Sequence, residues 1–81
     1  MNLDYYKTFY YVALSKNFTK AAELLGNNQP NVTRSMNNLE AELGCRLFAR
    51  SNRGVSLTPI GEQLFLCGSP YDFIKQIILR Q

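Results

Sequence analysis

Histidine is absent from this chain of 81 residues, and cysteine occurs only at Cys45 and Cys67. Those cysteines stand 22 positions apart, without the paired-ligand spacing of a metal site, so no metal is expected. Each lies among apolar residues and reads as a small buried hydrophobe in a reducing compartment, with redox sensing and a disulfide as the other readings. The chain also lacks a glycine-rich phosphate loop and any cluster of carboxylates. Without these or a histidine, a catalytic site has nothing to be built from, which excludes an enzyme; no cofactor is expected either. No apolar run approaches the roughly 20 residues of a membrane span. The opening MNLDYYK lacks the basic-then-apolar layout of a signal peptide, so a cytoplasmic protein is expected. No internal repeat or low-complexity tract is visible.

What is present is enough for one small domain. Apolar residues make up 46% of the chain, so a folded core is expected, although burial at this size is marginal and a partner surface would help. Net charge is +3, from nine Lys/Arg against six Asp/Glu, which alone says little. The distribution says more. No acid falls between Glu23 and Glu40, where Arg34 sits, or between Glu42 and Glu62, where Arg46, Arg50 and Arg53 sit. A basic footprint over those windows would attract phosphates.

Apolar periodicity predicts a first helix from about Asp4 to Ser15, with Leu3, Tyr6, Phe9, Tyr10 and Ala13 recurring at helical spacing and its aromatics in the core. Asn17 is a suitable cap for a second helix, Phe18 to Leu25, which turns Ala21, Ala22 and Leu25 inward and stops at Gly26. A third helix follows Asn28, whose side chain can cap it, with Pro30 in its first turn and Gly44 at its end. Val32, Met36, Leu39 and Leu43 form its buried stripe, leaving Pro30, Arg34, Asn37 and Ala41 on the far side, flanked by Thr33 and Asn38. Two helices joined so tightly, the second with a hydrogen-bonding face, look like a helix-turn-helix that reads duplex DNA.

Leu47 and Phe48 then anchor to the core, and Phe48 to Arg50 and Val55 to Leu57 make short strands around Ser51-Asn52-Arg53-Gly54, a candidate wing. Thr58 and Pro59 form a strong helix start. Beyond them Ile60, Leu64, Cys67, Tyr71, Ile74 and Ile78 follow at spacings of 4, 3, 4, 3 and 4, a heptad seam suited to pairing with a second copy. Gly68-Ser69-Pro70 lies inside it and leaves open one helix kinked at Pro70 or a second helix capped by Ser69; the unbroken phase favours the single helix.

The exposed face of the third helix has suitable chemistry for a base reader. Gln29 can donate to and accept from adenine, and Arg34 can fork onto guanine O6 and N7. Thr33 suits a phosphate or a thymine methyl group, and Pro30 a thymine methyl group. Asn37 and Asn38 are placed for phosphate rather than base, or for solvent alone. Arg53 at the hairpin tip can enter a narrow, electronegative minor groove. Arg50 is open between a phosphate contact and a structural ion pair. Lys20, a cation in a helix's first turn, is open between a nearby phosphate and surface chance.

NLDYYKTFYYVALSKNFTKAAELLG, NQPNVTRSMNNLEAELGCRLFAR and RGVSLTPIGE together resemble the N-terminal DNA-binding domain of LysR-type transcriptional regulators. The resemblance covers about Met1 to Leu66 and keeps several signals in order: Phe18-Thr19 with Ala21-Ala22, Gln29-Pro30, Arg34, Leu39-Glu40, Leu43-Gly44, Leu47-Phe48 with Arg50, and Thr58 with Gly61. It implies a mainly helical, winged helix-turn-helix domain over 1–58 and a long linker and dimerisation helix over 59–81. It implies that Gln29, Pro30, Thr33 and Arg34 meet the major groove, Arg53 the minor groove, and Thr19 and Lys20 the phosphate backbone. With Asn28, Asn37 and Arg50, these make the candidate DNA-contacting set of a homodimeric promoter-binding protein. Asn27 departs from the family, which usually has an apolar residue there, and Gly68-Ser69-Pro70 interrupts the linker. The family continues into a large ligand-sensing domain, whereas this sequence stops at Gln81, so it is read as a fragment or as lacking the sensing half; no effector site is assigned. The competing reading is a winged-helix module that binds protein through the aromatic first helix.

Overall fold

A computed structural model describes residues 3–67. Its elements run α1 (Leu3–Ser15), α2 (Phe18–Leu25), α3 (Gln29–Leu43), β1 (Phe48–Ser51), β2 (Gly54–Leu57) and α4 (Pro59–Cys67). Local chemistry sets most of these boundaries. Asn17 is extended and its side chain accepts the Lys20 amide at 3.0 Å, opening α2. At the other end Gly26 turns left-handed, so that the Asn27 N–H reaches Ala22 O and the Gly26 N–H reaches Glu23 O. Asn28 repeats the cap for α3, accepting the Asn31 amide at 3.0 Å, with Pro30 in the first turn where its missing N–H costs nothing. Thr58 Oγ1 accepts the Gly61 amide at 3.0 Å at the start of α4.

The core is built from Phe9, Val12 and Ala13 of α1, Phe18, Ala21 and Ala22 of α2, and Val32, Met36 and Leu39 of α3. Leu47, Phe48 and Leu64 close it. Phe48 packs against Phe9 and Phe18, with ring centroids 5.4 and 5.7 Å away. Leu25 and Leu43, expected inside, are half-buried. Tyr10 is not a core residue. It is 42% exposed and stacks on Phe65 of α4 at 5.4 Å, while Val12 takes the inward position. The reason is helical phase: with Phe9 and Ala13 inward, the third neighbour on that face is Val12, and Tyr10 rotates to the flank.

Glu40 is a charged residue inside this core, 7% exposed. Its Oε2 accepts the amides of Leu47 at 2.7 Å and Phe48 at 3.2 Å, and Oε1 lies 3.8 Å from Arg46 Nη1. The carboxylate therefore satisfies backbone donors that burial would otherwise leave without partners. Burial pushes the neighbouring Cys45 thiol above its ordinary value, and the charge of Glu40 adds to the effect.

β1 and β2 pair antiparallel from Phe48↔Leu57 to Ser51↔Gly54, leaving Asn52 and Arg53 as the turn. The strands thus extend one pair further toward the tip than their apolar residues suggest. α4 is seated on the segment before the wing. Leu47 O accepts the Thr58 amide at 3.0 Å, and Thr58 Oγ1 donates to Arg46 O at 2.6 Å. Gly61 lies so close that a β-carbon there would stand 2.2 Å from Leu47 O.

Leu64 corrects the expected pairing seam. It is fully buried in the core of its own chain, so it is unavailable to a second copy. Seen alone, the helix periodicity could not distinguish an intramolecular partner from an intermolecular one. Cys67 is half-buried against the same core, whereas Ile60 is 38% exposed. Tyr71, Ile74, Ile78 and the question of helix continuity through Gly68-Ser69-Pro70 lie outside the described residues. Among the described residues no helix is long and apolar enough to cross a membrane.

Replacing Gly61 with Ala forces a methyl group against backbone and should cost about 1–3 kcal/mol. Glu40→Ala strands two buried amides and should cost about 2–4 kcal/mol, with Glu40→Gln losing less because an acceptor remains. Urea unfolding measures all three; a wild-type midpoint for Glu40→Ala would contradict the bonding described here.

Candidate nucleic-acid interface

The inward stripe Val32, Met36 and Leu39 fixes the rotation of α3 and turns its polar face outward. Gln29, Pro30, Arg34 and Asn37 are exposed there, and Thr33 is half-exposed. The polar groups are linked in two sets. Gln29 Nε2 donates to Thr33 Oγ1 at 2.7 Å, a contact between successive turns. Arg34 Nη1 donates to Asn31 Oδ1 at 3.3 Å, and Asn31 Nδ2 donates to Asn27 Oδ1 at 3.1 Å. Asn27 Oδ1 also accepts the Asn28 amide at 2.8 Å. The result is a polar surface over the first turns of α3 with little freedom to collapse, able both to donate and to accept.

Asn27 and Asn31 were not among the sequence-derived candidates. Their signal was present: Asn31 is four residues after Asn27 and three before Arg34, the spacing at which helix-surface side chains meet. Asn27 occupies the position where an apolar residue was expected, and its side chain ties the turn to α3 through hydrogen bonds instead. Asn28 has its side-chain oxygen engaged as the α3 cap.

Asn38 belongs elsewhere. Its Nδ2 donates to Tyr5 Oη at 3.2 Å, which joins α3 to α1. Asn37 Oδ1 accepts from Arg50 Nη2 at 2.9 Å, and the Arg50 guanidinium carbon lies 4.8 Å from the centroid of Phe18. Of the openings left for Arg50, the structural ion pair is therefore replaced by an amide and an aromatic ring. An extended strand puts residues 48 and 50 on one face, so the same Phe18 ring meets both Phe48 and Arg50.

Thr19 and Lys20 are exposed in the first turn of α2. Lys20 Nζ lies 3.8 Å from Glu23 Oε2, a solvent-exposed pair that partly offsets the unfavourable helix-end position. Arg53 is exposed in the two-residue turn of the wing, its amide donating to Ser51 Oγ at 3.2 Å. Among the described residues its guanidinium has no carboxylate partner.

Residues 3–62 match the family model described as "Bacterial regulatory helix-turn-helix protein, lysR family". The chain is 50% identical over 58 residues to the HTH-type transcriptional regulator YofA of Bacillus subtilis, covering 72% of this chain and 20% of that protein. It is 43% identical over 65 residues to the HTH-type transcriptional regulator BudR of Klebsiella aerogenes, covering 80% of this chain and 46% of the relative. The chain thus spans less than half the length of these curated relatives. Among solved structures, it is similar to the crystal structure of the CbnR_DBD–DNA complex, with 36% identity and a TM-score of 0.78 over 99% of this chain and 86% of that one. It is likewise similar to the BenM_DBD/benA site 1 DNA complex, with 34% identity and a TM-score of 0.79 over 100% of this chain and 86% of that one.

Proposed function

The chain belongs to the lysR family of bacterial regulatory helix-turn-helix proteins, and from that membership we propose that it is the sequence-specific, double-stranded-DNA-binding part of a transcriptional regulator. The observation that carries this is the acid-free polar face at the start of α3, where Gln29 is hydrogen-bonded to Thr33 and Arg34 to Asn31. α3 enters the major groove. Arg34 reads guanine, Gln29 reads adenine, and Pro30 and Thr33 supply apolar and hydroxyl contacts. Thr19, Lys20 and Asn28 lie toward the phosphates, which position the domain without specifying sequence, while the Asn37 side chain is engaged by Arg50. Arg53 enters the minor groove from the wing tip. Similar chains are named transcriptional regulators or were solved with DNA, which supports the same reading. The protein works in the cytoplasm, where the promoter is, and makes no use of a membrane.

Two copies pair through the C-terminal segment, with Ile60 at its near end and Tyr71, Ile74 and Ile78 continuing the heptad spacing without Leu64. Pairing presents two reading helices to a partly palindromic site. The double variant Ile74→Asp, Ile78→Asp should halve the mass measured by sedimentation; an unchanged mass would remove the pairing. For base reading, Arg34→Ala should weaken binding to a selected duplex by about 1–3 kcal/mol, while affinity for a scrambled duplex changes much less. Fluorescence anisotropy distinguishes these. Wild-type affinity of Arg34→Ala for the selected duplex would favour a protein-binding module instead.

A further inference from the structure

We infer that Arg50, held between Asn37 and the Phe18 ring, is a positioning residue that fixes the wing, and with it Arg53, relative to the reading helix α3. This rests on the DNA-binding function proposed above. The geometry that carries it joins three separate elements at one side chain. From β1, the Arg50 guanidinium donates to Asn37 Oδ1 of α3 at 2.9 Å and lies 4.8 Å from the ring centroid of Phe18, the first residue of α2. The Phe18 ring in turn packs edge-on against Phe48 at the root of the same strand.

A wing needs such a brace. A two-stranded hairpin by itself is at best marginally stable in water, so its direction must be set by contacts with the body of the domain. At the root the hairpin is held by Phe48 and by the Glu40 carboxylate. Ala49, Arg50 and Ser51 beyond it are all exposed, and the wing's other apolar contacts with the core come from Val55 and Leu57 of β2, so β1 itself has no apolar hold past its root. Arg50 extends the attachment past the root by using an aromatic face and an amide as partners. Its planar guanidinium suits both, since it can lie over a ring and still donate in its own plane. Lysine has no such plane. Arg53 stands three residues further along, in the turn.

A direct phosphate contact by Arg50 is the competing role, and Arg50→Lys separates the two: lysine keeps the charge that a phosphate contact needs and would bind close to wild type with the same salt slope, whereas it lacks the planar fork that a brace needs. The experiment measures binding of the 81-residue chain to a duplex selected from a random pool, across a salt series. The proteins are the wild type, Asn37→Ala, Arg50→Lys, Arg53→Ala and the double variant Asn37→Ala, Arg53→Ala. Asn37→Ala removes no charge. It should weaken binding about three- to tenfold with an unchanged salt slope. That loss should shrink to below about twofold in the Arg53→Ala background, because a displaced wing has no arginine left to misplace. Arg50→Lys keeps the charge but loses the fork and the flat face, so it should bind as weakly as Asn37→Ala. Wild-type affinity for both Asn37→Ala and Arg50→Lys would overturn the inference, as would full additivity of Asn37→Ala with Arg53→Ala. If the wild type binds no duplex at any salt, the proposed function fails first. The brace is then judged by residual dipolar couplings of the β1 and β2 amides, whose orientation against α3 must change in Asn37→Ala and must stay fixed for the inference to fall.

Discussion

The buried carboxylate of Glu40 is the constraint from which the rest of the domain is arranged. It sits near the end of α3 and accepts the amides of Leu47 and Phe48, the residues that lead into the wing. Those two side chains are then held in the core, and the peptide groups around them become fixed points for the next element. Leu47 O receives the Thr58 amide and lies against Gly61, while Arg46 O receives the Thr58 hydroxyl. One carboxyl side chain thereby couples α3, the wing and the start of α4. Burying a carboxylate is expensive unless its oxygens are satisfied, and here backbone donors do this directly, with Arg46 nearby at the surface.

The proposed binding face has its own order. The inward stripe of α3 sets the rotation of the helix, and the outward side chains then hold each other through Gln29–Thr33 and Asn27–Asn31–Arg34. A surface restrained in this way before contact loses less side-chain freedom when it meets a base edge. Its hydrogen bonds are local and exposed, so under the proposed function they would be exchanged for bonds to DNA without disturbing the core. The deep anchoring by Glu40 and the exchangeable bonds at the start of α3 are thus separated along one helix, its last turns structural and its first turns available.

Sequence reasoning reached the elements whose boundaries depend on nearby residues. Asn17, Gly26, Asn28, Gly44 and the Thr58-Pro59 pair act on amides or carbonyls within a turn or so, and α2 and α3 fall where those residues predict. It did not reach interactions whose partners are remote or whose orientation depends on packing. Glu40 was visible as part of a family signal, but its burial depends on amides seven and eight residues downstream, which periodicity cannot reveal. Asn38 meets Tyr5 at a separation of 33 residues. Leu64 fits a heptad seam in sequence and belongs to the intramolecular core in space. Tyr10 and Val12 exchanged roles because apolar character on α1 is spread around the helix, and neighbours alone decide which flank is covered. At the candidate site, the outward set on α3 was legible from its face, whereas the Arg50–Asn37 link required knowing that the wing folds back beside that helix.

The central claim is that this chain reads base sequence in duplex DNA. Its most direct test is to pass a randomised duplex pool over the protein at low and at high salt and sequence what is retained. The account predicts enrichment of a two-fold-related motif, with retention falling steeply as salt rises. Retention at low salt without any enriched motif would contradict it, because phosphate attraction alone would then explain the binding.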